Sequence, residues 1–250
     1  MNKELRVLIL DIETSPLLVY VWELKDQYVG LNQMIKDWDI MAWSAKWLNT
    51  HASNIHYFDK RRDKDDKRIL KPLWDLLNEA DVVITQNGKA FDSKKINARF
   101  MLHKMPPPSP YKHLDTYLIA KNAAAFTSHS LEYLSDRFCT KYKKLSHKQF
   151  PGLSLWIECL KGNNKAWEEM KTYNIHDVLA TEEFYNKIKG WVPQNAPKLF
   201  TTASVCSICG SMAQRRGTEL KGKTLVQRVQ CKSPSCGKWG TETIPKGLKP

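Results

Sequence analysis

Apolar residues recur along most of the chain in two rhythms, and together they predict a sheet with helices on its faces. Val7-Leu8-Ile9-Leu10 is apolar at consecutive positions, the mark of a short strand buried on both sides. Ile40 to Leu48 and Ile55 to Phe58 predict a second and a third strand, antiparallel to the first. Asp81-Val82-Val83-Ile84-Thr85 predicts another, and residues 113–117 a fifth. Between them lie segments with helical spacing. These are Asp65 to Glu79, Ser93 to His103 with Ile96 and Phe100 four apart, and Lys165 to Lys189 with Trp167, Met170, Phe184 and Ile188 on one stripe. The expected class is α/β, a mixed five-stranded sheet flanked by helices. Tyr20 to Lys36 is too long for a hairpin turn and reads as an insertion.

Acids interrupt this pattern where a carboxylate needs a cation. Asp11-Ile12-Glu13 runs off the end of the first strand, and alternation puts Asp11 and Glu13 on one face. Two such carboxylates disfavour joint ionisation unless a hard cation, magnesium or manganese, intervenes. Asp37/Asp39 and Asp63/Asp65 repeat the spacing, but neither follows a buried strand, and the latter lies in the charged stretch Lys60 to Arg68. Asp92 follows a strand and the turn signal Asn87-Gly88 and precedes an amphipathic helix, which places it at the carboxyl end of a strand. Asn54 to Asp59 carries similar letters without those surroundings. Tyr173 and Asp177 are four apart on the inward stripe of the last helix. An isolated aspartate there would read as a cap or a salt-bridge partner, and Tyr111/Asp115 repeats the spacing outside a helix.

Taken in order, Asp11-Ile12-Glu13, Asn87-Gly88-Lys89-Ala90-Phe91-Asp92 and Tyr173-x3-Asp177 resemble the three motifs of DEDDy-type 3′-to-5′ exonucleases of the ribonuclease H-like superfamily. The resemblance spans roughly residues 5 to 190 and takes in Leu114-Asp115-Thr116 and Ser130 to Leu134. It implies a phosphodiesterase with two Mg2+ or Mn2+ ions, bridged by Asp11, with Glu13 and Asp177 on one and Asp92 on the other. It gives Tyr173 the task of orienting the attacking water. The family's histidine-bearing branch has its histidine where Thr172 stands, so His176 is expected to be a bystander. The implied substrate is a single-stranded 3′ end, DNA before RNA, released as nucleoside 5′-monophosphates. A DNA polymerase or a replication or repair complex is the implied partner. An RNA exonuclease and a non-catalytic nucleic-acid-binding module are the alternatives.

Six cysteines divide into two kinds. Cys139 and Cys159 are isolated and read as packed thiols. Cys206-x2-Cys209 and Cys231-x4-Cys236, each pair followed by glycine, have the spacing of one structural Zn2+ site and resemble a zinc ribbon. The expected organisation is an exonuclease domain at 1–190, a proline-bearing linker at 191–200 and the zinc ribbon at 201–250.

The net charge of +13 favours a polyanionic partner. From Lys198 onward ten basic residues face two acids, which assigns +8 of that charge to the tail and suggests phosphate contact there. Lys143, Lys144 and Lys148 are either a second phosphate track or a solvated face. Trp38, Trp43 and Trp47 are expected to pack in the core, base stacking being their other use. Asp11 interrupts the first apolar run after four residues, too soon for a signal peptide or a membrane span, so the expected location is cytoplasmic with no membrane partner.

Overall fold

The computed structural model describes residues 5–25, 27–146, 149–193, 204–221 and 224–243. Lys148 and residues 194–200 of the expected linker lie outside them. β1 (Val7–Thr14) is the middle of a five-stranded sheet with β4 (Ile40–Trp47), β5 (His56–Asp59), β6 (Val82–Thr85) and β7 (Lys112–Asp115), in the order β5-β4-β1-β6-β7. β1 runs antiparallel to β4 and parallel to β6. β5 runs antiparallel to β4, so it points the same way as β1, which corrects the expected direction of the third strand. The cause is local: a short link between β4 and β5 can only fold the chain back on itself. The fifth strand ends at Asp115 rather than 117, because Asp115 turns to cap the helix that follows.

Alternation along β1 sorts the core into two layers. Leu8, Leu10 and Ile12 face α1 (Lys67–Glu79) and α2 (Asp92–Leu102), meeting Leu70, Leu73, Leu77, Ile96 and Phe100. Val7 and Ile9 face the opposite way, toward α3 (Thr116–Ala123), α4 (Leu131–Phe138) and α6 (Asn164–Ile188). Met41 and Ala42 of β4 pack on α6 and α5 (Ser154–Leu160). Asp11 and Glu13 continue the Val7/Ile9 face and therefore look toward α6.

Polar clamps fix the helices. Lys46, buried on β4, pairs with Glu182 of α6 at 2.7 Å. Asp66, fully buried, accepts from Ile40 N at 2.9 Å and from both arms of the Arg99 guanidinium, tying α1 and α2 to the start of β4. Trp43 packs in the core as expected, stacked on Phe58, whereas Trp38 and Trp47 each carry a cation over the ring. Cys139 and Cys159 are buried free thiols. β3 (Met34–Lys36), at the end of the insertion, pairs antiparallel with β2 (Leu18–Val19) just before it.

β8 (Ala213–Lys221), β9 (Thr224–Cys231) and β10 (Trp239–Thr243) form a separate antiparallel sheet in the order β10-β9-β8. It shares a core with the first unit: Cys206, Ile208, Cys231 and Cys236 pack with Tyr185, Ile188 and Val192. A side chain at Gly190 would start 1.8 Å from the Cys236 carbonyl oxygen, so only glycine permits this approach. Among the described residues no helix is long and apolar enough to cross a membrane.

Candidate active site

β1 ends in two inward acids, and α6 crosses beneath them. The carboxylate oxygens of Asp11, Glu13 and Asp177 come within 4.8 Å of one another. Asn174, one turn before Asp177, donates from Nδ2 to Asp11 Oδ2 at 2.7 Å and fixes how that carboxylate is presented. Asp92 approaches from the other side as the first residue of α2, a helix start rather than a strand end. Its Oδ1 accepts from Ile12 N at 3.2 Å, between the two acids of β1.

The turn that delivers Asp92 is tightly specified. Asn87 takes a φ of 63°, a left-handed conformation that asparagine tolerates. A Cβ on Gly88 would fall 2.2 Å from Thr85 Oγ1. Asp115 accepts from Asn87 N at 2.9 Å and Lys89 N at 3.0 Å, which is its role in place of any chemistry. Asp59, Asp63 and Asp39 are likewise partners of cations: Arg61, Arg68 and Lys60.

Burial first, then the charges of Asp92, Asp177 and Glu13, hold the Asp11 carboxyl well above its ordinary range, with Lys144 opposing them. Glu13 is pushed up to about 8 by burial and Asp177, against Lys144 and a hydrogen bond from Trp156 of α5. Asp92 is pushed up to about 7 by burial, although backbone N–H groups, Ile12's among them, favour its charged form. Acids gathered this closely ionise together only when cations stand among them.

Lys144 supplies one such charge, its Nζ 2.5 Å from Asp177 Oδ2 and 4.5 Å from the centre of the Tyr173 ring. The segment before it is held by Glu183 of α6, which accepts from Thr140 N and Tyr142 N, while Lys144 N donates to Ser135 Oγ at 3.0 Å. Burial and Asp177 push the Tyr173 hydroxyl well above the usual phenol range, so it stays protonated. His176 packs edge-on to Tyr142. Lys143 pairs with Asp136 on the surface, so of these two lysines Lys144 alone enters the site.

Sequence patterns missed Asn174, Trp156 and the clamp on Lys144. The one available signal was for Asn174, which lies three residues before Asp177 on the inward stripe.

A second cluster lies in the C-terminal sheet. The Sγ atoms of Cys206, Cys209, Cys231 and Cys236 lie within 4.8 Å of one another, with Cys206 to Cys236 at 3.8 Å and Cys209 to Cys231 at 3.5 Å. Disulfides would need about 2 Å. A tetrahedral zinc with bonds of about 2.3 Å sets sulfurs about 3.8 Å apart, so the cluster is compatible with a zinc ribbon. Gly210 and Gly237 have φ of 72° and 57°, which lets each cysteine turn close.

A family model described as RNase_H superfamily matches residues 39–189, taking in Asp92, Tyr173 and Asp177 and beginning after Asp11 and Glu13. No curated protein matches the chain. The fold is similar to that of the family B DNA polymerase from the hyperthermophilic archaeon Pyrobaculum calidifontis, with a TM-score of 0.51 and 14% sequence identity. The similarity covers 87% of this chain and 31% of that one, so the chain spans less than a third of the polymerase's length. At that identity the likeness speaks for the fold.

Proposed function

The chain belongs to the RNase H superfamily, and from that premise we propose that it is a metal-dependent 3′-to-5′ exonuclease of the DEDDy type. The observation that carries this reading is the convergence of Asp11, Glu13 and Asp177, with Asp92 tethered to the backbone between the first two. Hard oxygen donors at this spacing suit Mg2+ or Mn2+. When bound, such a pair of ions lowers the cost of forming hydroxide and of charge on the leaving oxygen.

The protein's part is positioning. Asp11 presents the oxygen that Asn174 leaves open, Glu13 and Asp177 complete one donor set, and Asp92 serves a second. Tyr173, kept protonated, donates its O–H to the attacking oxygen and so directs it in line with the scissile bond. Lys144 holds Asp177 and balances the negative charge of the site.

The substrate in this reading is a single strand entering by its 3′ end, DNA in preference to RNA, and the products are nucleoside 5′-monophosphates. The net charge of +13 supports a polyanionic substrate, and the likeness to a DNA polymerase supports a polymerase as partner. We assign residues 1–190 to the exonuclease unit, 191–200 to a linker and 201–250 to a zinc ribbon in which Cys206, Cys209, Cys231 and Cys236 hold one structural Zn2+.

The test is to incubate matched 5′-labelled DNA and RNA strands with magnesium, manganese or chelator and to size the products at nucleotide resolution. A metal-dependent ladder shortening from the 3′ end on DNA is expected. A ladder on RNA alone would move the assignment to an RNA exonuclease, and uncleaved strands under all conditions would refute it.

A further inference from the structure

Among the described residues, the most exposed large apolar side chains belong to the arm that follows β1. Trp22, Leu24 and Tyr28 are 97%, 98% and 94% exposed, with Tyr20 and Leu31 close behind. Several large apolar side chains left in water within one short segment invite a partner. The arm nevertheless has built structure: Tyr20 N donates to Gln33 O at 2.9 Å, and Gln33 Nε2 returns to Tyr20 O at 3.0 Å. Its root is pinned beside the acids, where Ser15 N donates to Asp39 O at 2.9 Å.

Rings and cations join that root to the helix that carries Asp92: Arg99 also lies over the Trp38 ring, at 5.7 Å. Trp38, just after β3, lies under Lys95 Nζ at 3.6 Å, and the same ammonium is 5.8 Å from the ring of Phe91. Phe91 is 40% exposed and precedes Asp92. The root of the arm is thus linked to the start of α2, where Asp92 stands. Within residues 17–36 two acids, Glu23 and Asp26, offset two lysines, Lys25 and Lys36, so the segment has no net charge with which to hold phosphates. What it offers is flat aromatic faces, which suit unpaired bases of any sequence.

We propose that the arm is a stacking platform for unpaired bases of a single strand whose 3′ end lies in the acidic site, with Trp22 and Tyr28 as its main faces. The path of the strand rests on the exonuclease reading; base binding itself does not.

The experiment compares the full chain with Trp22→Ala/Tyr28→Ala and with Trp22→Phe/Tyr28→Phe. Each is titrated, with magnesium and manganese withheld to prevent cleavage and the cysteine cluster left loaded, against a 5′-fluorescein oligothymidylate and an abasic strand with the same number of phosphates. The unaltered protein should bind the strand with bases at least about tenfold more tightly than the abasic one. The alanine pair should lose that preference with an unchanged thermal midpoint, and the phenylalanine pair should keep it. Equal affinity of the unaltered protein for both strands, or an alanine pair that retains the full preference, would overturn the proposal. So would a change from dimer to monomer in the alanine pair with the base preference intact, which would make the arm a contact between copies. Failure of the unaltered protein to hydrolyse a nucleotide p-nitrophenyl ester with manganese would defeat the exonuclease reading alone, since base binding by the arm is measured with magnesium and manganese withheld, where no cleavage occurs.

Discussion

The ammonium of Lys144 lies 2.5 Å from Asp177 Oδ2, inside a cluster of acids whose mutual repulsion it partly relieves. Replacing Lys144 with methionine should therefore act in opposite directions on two measurements. Without divalent metal the variant should lose about 1–3 kcal/mol in chemical denaturation, below the usual cost of breaking a fully buried pair because the lysine is partly exposed. Its affinity for Mn2+ by calorimetry should rise, because the site becomes more negative. A variant with weaker Mn2+ binding would show that Lys144 organises the donors rather than balancing their charge.

Stability should depend on pH and metal together. The carboxyls of Glu13 and Asp92 lie above their ordinary range, at about 8 and about 7, so between roughly pH 4.5 and 8 the folded chain binds more protons than the unfolded one. Stability must then fall as pH rises through that window, by about 2 kcal/mol or more with magnesium and manganese withheld. Saturating Mg2+ should flatten the slope, since a cation favours the charged forms. Denaturation midpoints at pH 5.5 and pH 8, with and without added magnesium, check both signs; stability rising with pH without added magnesium would contradict the electrostatics.

How much of this was legible in the letters follows from how far each interaction reaches. Asp11 and Glu13 were readable because strand alternation and a buried run fix their face locally, and Tyr173 and Asp177 because helical spacing does the same. Asn174 bonds to Asp11 across 163 residues, and Asp66 to Arg99 across 33, so no local rhythm records either contact. The arm was legible as an insertion from its length, but its pairing was not: its two short strands pair with each other and bury no face that a period could reveal.

Arg99 makes that hidden layer testable. It holds Asp66 through two parallel hydrogen bonds at 2.7 and 2.8 Å, on the helix that begins with Asp92. Arg99→Leu should cost about 3–5 kcal/mol by leaving the buried Asp66 without its main partner. Cleavage should fall with it, because α2 loses its anchor. Wild-type stability in this variant would show that Ile40 N and His103 suffice for Asp66.

The C-terminal sheet shares a core with α6, so metal there should be felt throughout. Stripping zinc with a strong chelator is expected to lower the thermal midpoint of the whole chain in one transition. Gly190→Ala should reproduce much of that loss with zinc still bound, because the added methyl meets the Cys236 carbonyl. Two separate transitions, with the first unit unaffected, would mean that the units fold independently.

Anomalous diffraction from crystals soaked in Mn2+ asks the central question without relying on turnover. The account predicts two peaks about 3.5–4 Å apart, in contact with Asp11, Glu13 and Asp177 and with Asp92 beside the second. Asp177→Ala crystals should lose at least one of them. A pocket without peaks at millimolar Mn2+, or peaks bound only by surface acids, would contradict it.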